Sequence, residues 1–163
     1  MIFEILSTKN EKYKFFKALK TKKARTEYKL YTVEGIKSVK DAVTSGAQLY
    51  SIVVSKEFYD TVDFEYPKDV DIYVIGNNIY NDICSTDTPQ GILAIIKQKE
   101  TELLLNEDKA YIYCDRLQDP GNLGTIIRTA DAAGFGGVLM SMDTVDLYNP
   151  KVVRASMGSF FHI

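Results

Sequence analysis

The 163-residue sequence predicts an α/β protein in two successive parts, and three observations carry that expectation. Short β-branched runs alternate with stretches of helical spacing, the pattern of strands buried on both faces between helices. A polar, Glu-rich stretch over residues 98–109 interrupts the alternation, which then restarts with a new apolar run. Charge is divided too. Residues 1–40 carry eleven Lys and Arg against four Glu, a net of +7, and the remainder carries nine basic and eighteen acidic groups, a net of −9.

Over residues 10–21, Tyr13, Phe16 and Leu19 recur at three-residue steps among lysines, which gives an amphipathic helix with one buried stripe. Asn10 is its candidate cap, and its Lys-rich end suits the negative end of the helix dipole. Lys22-Lys23-Ala24-Arg25 then reads as a loop or helix end with three exposed cations. Strands are predicted at residues 31–33, 49–54, 71–75 and 91–97, with helices at 35–44, 56–61 and 77–84. The domain boundary falls in the Glu-rich stretch around Leu103-Leu104-Leu105, giving parts at residues 1–105 and 106–163. The second part has a strand at 110–114, a polar loop, a helix and a strand at 137–141. Residues 160–163 read as the start of another strand.

Composition narrows the function. The longest apolar runs, such as residues 91–96, fall far short of the roughly 20 residues a bilayer crossing needs. The first residues lack the basic flank and apolar stretch of a signal peptide. Two cysteines, Cys84 and Cys114, without a disulfide pattern point to a reducing, cytoplasmic compartment, and both read as buried apolar residues. Neither they nor the single His162 assemble a metal or nucleophilic centre. The basic amino-terminal segment has two readings, an anionic partner with nucleic acid first in line, or a solvated Lys-rich helix face. Tyr13 and Tyr28, lying among lysines, are the aromatic candidates for base stacking.

The most specific segment runs from Asp115 to Gly137. Pro120-Gly121 reads as a tight turn, Asn122 as the cap of a helix from Leu123, Gly124 as a point of close approach and Gly134 as the helix end. Ile126, Ile127, Ala130 and Ala133 form a packing face, leaving Arg128 toward solvent or a ligand. Neither a G-x-G-x-x-G spacing nor a phosphate loop ending in Gly-Lys-Ser/Thr is present. Asn122 as a plain cap, and Arg128 as a helix-face partner of Asp131, remain open beside the functional reading.

Gln118-Asp119-Pro120-Gly121-Asn122-Leu123-Gly124 with Arg128-Thr129-Ala130 closely resembles the first motif of the SpoU (TrmH-like) RNA ribose methyltransferases. Asn149-Pro150-Lys151-Val152-Val153-Arg154-Ala155-Ser156-Met157-Gly158-Ser159 resembles the segment that follows. Ser7-Thr8-Lys9-Asn10, Val33-Glu34-Gly35 and Thr86-Asp87-Thr88-Pro89-Gln90-Gly91 are similar to the family's substrate-binding module.

The resemblance implies a ribosomal-protein-like α/β substrate domain followed by the first part of a SPOUT-type α/β domain, knotted when complete. It implies S-adenosylmethionine as donor and methyl transfer to a ribose 2′-hydroxyl of structured RNA, ribosomal RNA first, by a homodimer, with neither membrane nor metal. Asn122 and Arg128 take the catalytic positions. A guanidinium is a poor base, so the expected role of Arg128 is to hold the target phosphate and stabilise a developing alkoxide. Asn122 would orient Arg128 or the ribose. Lys9, Asn10, Lys22, Lys23, Arg25, Glu34, Arg154 and Ser156 are the expected RNA-facing residues, the cations meeting phosphates. Arg154 and Ser156 can equally cap and decorate a short helix.

The family's later Gly-x-Glu and Ser-Leu-Asn motifs, which build the cofactor site and the knot, are not among these residues. The expectation is therefore a carboxyl-terminally truncated chain, inactive alone, without a donor site, whose second part is dimerised, swapped or partly disordered. The alternative is a stand-alone RNA-binding module with a vestigial methyltransferase segment.

Overall fold

A computed structural model describes residues 1–99 and 105–163; Leu103 and Leu104 lie outside the described residues. The chain divides into two compact units, Met1–Gln98 and Lys99–Ile163.

Unit 1 contains β1 (Ile2–Ile5), α1 (Glu11–Ala18), α2 (Lys22–Tyr28), β2 (Leu30–Glu34), α3 (Ile36–Thr44), β3 (Leu49–Ser55), α4 (Lys56–Thr61), β4 (Asp71–Ile75), α5 (Asn77–Tyr80) and β5 (Ile92–Lys97). The strands form one sheet in the order β1-β4-β3-β5-β2. β1, β3 and β4 pair in parallel, whereas β5 runs antiparallel to both β3 and β2. Five of the six β5 residues are buried, as expected for a strand paired on both edges and covered on both faces. β1 was not expected from the sequence. It lies at the sheet rim with only Ile5 buried, so it lacks the apolar run that marks the inner strands.

Helix α1 forms where its spacing predicts. Asn10 Oδ1 accepts from the Lys12 and Tyr13 amides, and Tyr13, Phe16 and Leu19 are buried against β3, β4 and β5 residues such as Val53, Tyr73 and Ile95. The Lys22-to-Arg25 segment corrects the sequence reading. It opens a second helix, capped by Thr21, rather than a loop. Arg25 is 3% exposed and donates to the main-chain oxygens of Leu19 and Lys20, so it closes the turn between the helices instead of facing solvent.

Two contacts fix the return from β4 to β5. Glu34, at the end of β2, accepts from the Ser85 amide at 2.7 Å and from the Thr86 amide and hydroxyl. Gly91 then enters β5 with φ +81, and a side chain there would meet Phe58 Cβ and Ser55 Oγ, each at 2.8 Å.

Unit 2 contains β6 (Tyr111–Cys114), α6 (Pro120–Ala132), β7 (Gly137–Met140) and α7 (Pro150–Ala155). β6 and β7 pair in parallel. Leu123, Ile127, Cys114 and Val152 form its core. Ala133 is exposed rather than part of the packing face. Ser159–Phe161 is a 3-10 turn and not the start of a strand, because Gly158 at φ 93 turns the chain sharply away. Among the described residues, no helix is long and apolar enough to cross a membrane.

Gly91→Ala should lower stability by about 3 kcal/mol in urea unfolding, from left-handed strain plus overpacking; a loss below about 1 kcal/mol would contradict the fit at that corner. Burial pushes the Cys84 thiol from 9.0 up to about 12 and raises Cys114 as well. The folded chain therefore keeps protons that the unfolded chain releases, so this stability is complete below pH 9 and is lost as pH rises toward 12. Urea midpoints should fall in that window, and thiol reagents should label Cys84 only on unfolding.

Candidate functional site

The carboxyl ends of β6 and β7 carry the informative loop, the edge where α/β sheets place ligand-facing residues. The loop after β6 is fastened to the loop after β7. The Arg116 amide donates to Ser141 Oγ at 2.8 Å, the Val145 amide to Leu117 O at 2.8 Å and Gln118 Nε2 to Asp143 O at 2.6 Å. Thr144 Oγ1 donates back to Cys114 O at the end of β6. Arg116 takes a left-handed φ of 52 at this crossing.

The start of α6 departs from the sequence reading. Asp119 is the cap, accepting from the Asn122 amide at 2.6 Å, and Pro120 takes a first-turn position. Pro120-Gly121 is thus inside the helix, and Asn122 is freed from capping, with its side chain exposed. A proline directly after an aspartate was the available signal for this cap.

Gly124 explains itself by packing. A Cβ there would lie 2.4 Å from Ala155 Cβ and 2.8 Å from Val152 O, so α7 seats directly on α6. Asn149 caps α7 through the Lys151 amide, and Met157 follows at φ 50. This seating brings Met157 to Arg128, whose Nη1 lies 2.9 Å from Met157 Sδ. Asp131 faces His162 at 3.6 Å, rather than Arg128. Asn122 and Arg128 are six residues apart, about 9 Å along the axis and a third of a turn around it, so they do not share a helix face. Sequence reasoning missed Met157, whose role depends on a left-handed backbone that no local pattern announces.

Other expected RNA-facing residues separate into two groups. Lys9, Lys22, Lys23 and Arg154 are exposed. Four make structural hydrogen bonds. Arg25 is buried on main-chain carbonyls, Ser156 is fully buried and donates to Val153 O, Glu34 holds Ser85 and Thr86, and Asn10 caps α1. Tyr13 is likewise buried, donating to Ile79 O and Asp82, and burial pushes its hydroxyl up to about 12. Tyr28 stays 47% exposed. Asp82, which the sequence did not single out, also holds Lys17 at 3.3 Å. Among the described residues, no group of three His, Cys, Asp or Glu side chains is arranged to hold a metal.

Residues 10–94 match the model of the MRM3-like substrate binding domain, and residues 109–163 match that of the SpoU rRNA methylase family. The chain is 38% identical over 160 residues to the Bacillus subtilis protein named 23S rRNA (guanosine(2553)-2′-O)-methyltransferase RlmP, covering 98% of this chain and 63% of the relative. It is 32% identical to rRNA methyltransferase 3, mitochondrial, of Xenopus laevis, over 88% of this chain and 36% of that protein. The crystal structure of an AdoMet-bound rRNA methyltransferase from Sinorhizobium meliloti superposes with a TM-score of 0.85 at 34% identity, over 99% of this chain and 63% of that one. The chain thus spans under two thirds of the length of these relatives. With a substrate-binding unit followed in order by the loop, helix and strand of the methylase segment, the chain belongs to the SpoU rRNA methylase family.

Proposed function

We propose that the protein carrying this sequence methylates a ribose 2′-hydroxyl of ribosomal RNA in the cytoplasm, unit 1 engaging the RNA and the β6–α6 loop of unit 2 meeting the ribose. The observation that carries this reading is the exposed Arg128, placed by the seating of α7 on α6 and resting on a thioether rather than on a carboxylate. Sulfur is a weak acceptor, so an RNA phosphate or an oxygen gaining negative charge competes readily for the guanidinium. Relatives named as rRNA methyltransferases, one of them a 2′-O enzyme, support the substrate class, and none of those named above supports a free-standing RNA-binding module.

S-adenosylmethionine is the donor this reading requires, and AdoMet is the ligand bound to the Sinorhizobium meliloti rRNA methyltransferase. It supplies an electrophilic methyl group. The described residues do not fit it by themselves. The buried polar side chains of unit 2, Thr144 and Ser156, are both engaged by main-chain carbonyls and aim nothing at a ligand. Unit 2 therefore presents the RNA side of the chemistry. Arg128 donates to the 2′-oxygen as that oxygen gives its proton to water and becomes alkoxide-like, or to the adjoining phosphate, and Asn122, on another face of α6, is left to orient the ribose.

Arg128→Ala in the methylating protein should reduce turnover at least about 100-fold while RNA affinity changes little, the scale expected for loss of one charge-stabilising donor. Nuclease digestion should return an alkali-resistant 2′-O-methylated dinucleotide; methyl groups found on bases instead would sink the ribose assignment. RNA affinity should fall steeply with salt. Lys9→Ala/Lys22→Ala/Lys23→Ala should flatten the log–log slope by up to about 2 to 3, at about 0.7 to 0.9 for each phosphate no longer neutralised. An unchanged slope would put the RNA on another surface.

A further inference from the structure

Unit 1 carries a row of aromatic rings that the fold alone does not use up. Tyr28, at the end of α2, stands edge-on to Phe15 of α1 with centroids 5.0 Å apart, and Phe15 lies 5.8 Å from Tyr50 of β3. Tyr73 of β4 stacks on Phe3 of β1 at 5.1 Å. The two halves are joined by Lys12. Its Nζ lies 5.5 Å from the Tyr50 ring centre and 5.8 and 5.9 Å from those of Phe15 and Tyr73, and it donates to the Tyr50 hydroxyl at 3.1 Å. Tyr28, Tyr50 and Phe3 remain 47%, 36% and 38% exposed. Tyr50 sits where the register of β3 against β5 slips between Leu49 and Ser51, the kind of irregularity that re-aims a side chain.

Two acidic groups near this row are occupied. Glu11 is held by Lys14 at 2.7 Å, and Asp71 by the terminal amino group at 3.2 Å. Lys12 rests on a phenol oxygen, so the row presents half-exposed π faces around a cation that no carboxylate among the described residues neutralises. That combination suits a flat, electron-rich ligand attached to an anion. A second copy of the chain packed on the same patch would set one Lys12 against another. Duplex RNA hides its base faces in its own stack and offers nothing for these rings.

We propose that Tyr28, Phe15 and Tyr50, with Lys12 between Tyr50 and Tyr73, form a stacking platform for unpaired bases of the RNA substrate. Bases lie on the exposed tyrosine rings, and Lys12 exchanges its phenol contact for a backbone phosphate. This rests on the rRNA reading of the chain and sharpens it. Unit 1 selects a looped or single-stranded region, so recognition begins with the bases as well as with the charge of Lys9, Lys22 and Lys23.

The sequence has no tryptophan, so Tyr50→Trp installs a single fluorescent reporter. Its emission should be quenched saturably by an unpaired RNA of about 12 nucleotides and not by a duplex of equal length. Tyr28→Ala and Tyr50→Ala should each weaken single-strand binding about tenfold, as loss of one stacked base predicts, and Tyr28→Phe and Tyr50→Phe should bind within about twofold of the parent. Circular dichroism identifies any alanine variant that fails to fold, in which case the fluorescence of the Tyr50→Trp variant decides. Labelled RNA that binds by anisotropy without quenching the introduced indole, and binds the alanine variants as well as the parent, overturns the platform and leaves the rRNA reading standing. Absence of RNA binding by the parent chain removes the reading of unit 1 as the RNA-engaging part, and the platform with it. A dimer in sedimentation that disperses on Tyr50→Ala assigns the row to a second copy and overturns the proposal.

Discussion

The second unit of this chain depends on one missing side chain. At Gly124 the main chain of α6 comes so close to α7 that even a methyl group would lie 2.4 Å from Ala155. This contact sets the depth at which α7 sits, and with it where the chain emerges at Met157 and Gly158. Met157 then meets Arg128, one turn along α6 from Gly124. A residue that bears no side chain thus determines where the Arg128 guanidinium is held, because α-helical residues four apart lie on one face.

Unit 1 solves a different problem. Its sheet is parallel except for β5, which has to enter between β3 and β2 in the opposite sense. The entry is tight enough to require a glycine at residue 91, and the preceding segment is tied back to β2 by the carboxylate of Glu34. Glu34 and Gly91 belong to motifs shared with substrate-binding modules of this family. Their geometry shows that these two shared residues build the scaffold of unit 1. An acidic side chain whose oxygens are taken up by two amides and a hydroxyl is in any case badly suited to a phosphate.

Much of the fold was legible because period and burial agree. Tyr13, Phe16 and Leu19 marked α1, and the continuous apolar run at 92–96 marked β5. What was not legible depended on tertiary neighbours. β1 has too little buried surface to declare itself, and the direction of β5 leaves no local trace. The site was half legible. Arg128 could be placed on the exposed side of α6 from the apolar face opposite it, but the reading of Asn122 as a cap fails because Asp119 and Pro120 already serve the helix start. Chemistry alone reads Arg25 as an exposed cation and leaves Ser156 between an RNA contact and a helix-capping role. Only the carbonyls around them show why burial is tolerated, since those carbonyls accept their hydrogen bonds.

Strand β1 has a consequence for how the folded chain meets its own copies. It lies at the rim of the sheet, paired only with β4, so a row of main-chain donors and acceptors faces outward beside the exposed side chains of Ile2, Phe3 and Leu6. Such a rim invites edge-to-edge growth of sheets. Glu4 stands within this strand and is exposed. Two rims approaching in the antiparallel register that sets Glu4 against Glu4 would bring like charges together just where hydrogen bonds would otherwise zip, which opposes that pairing.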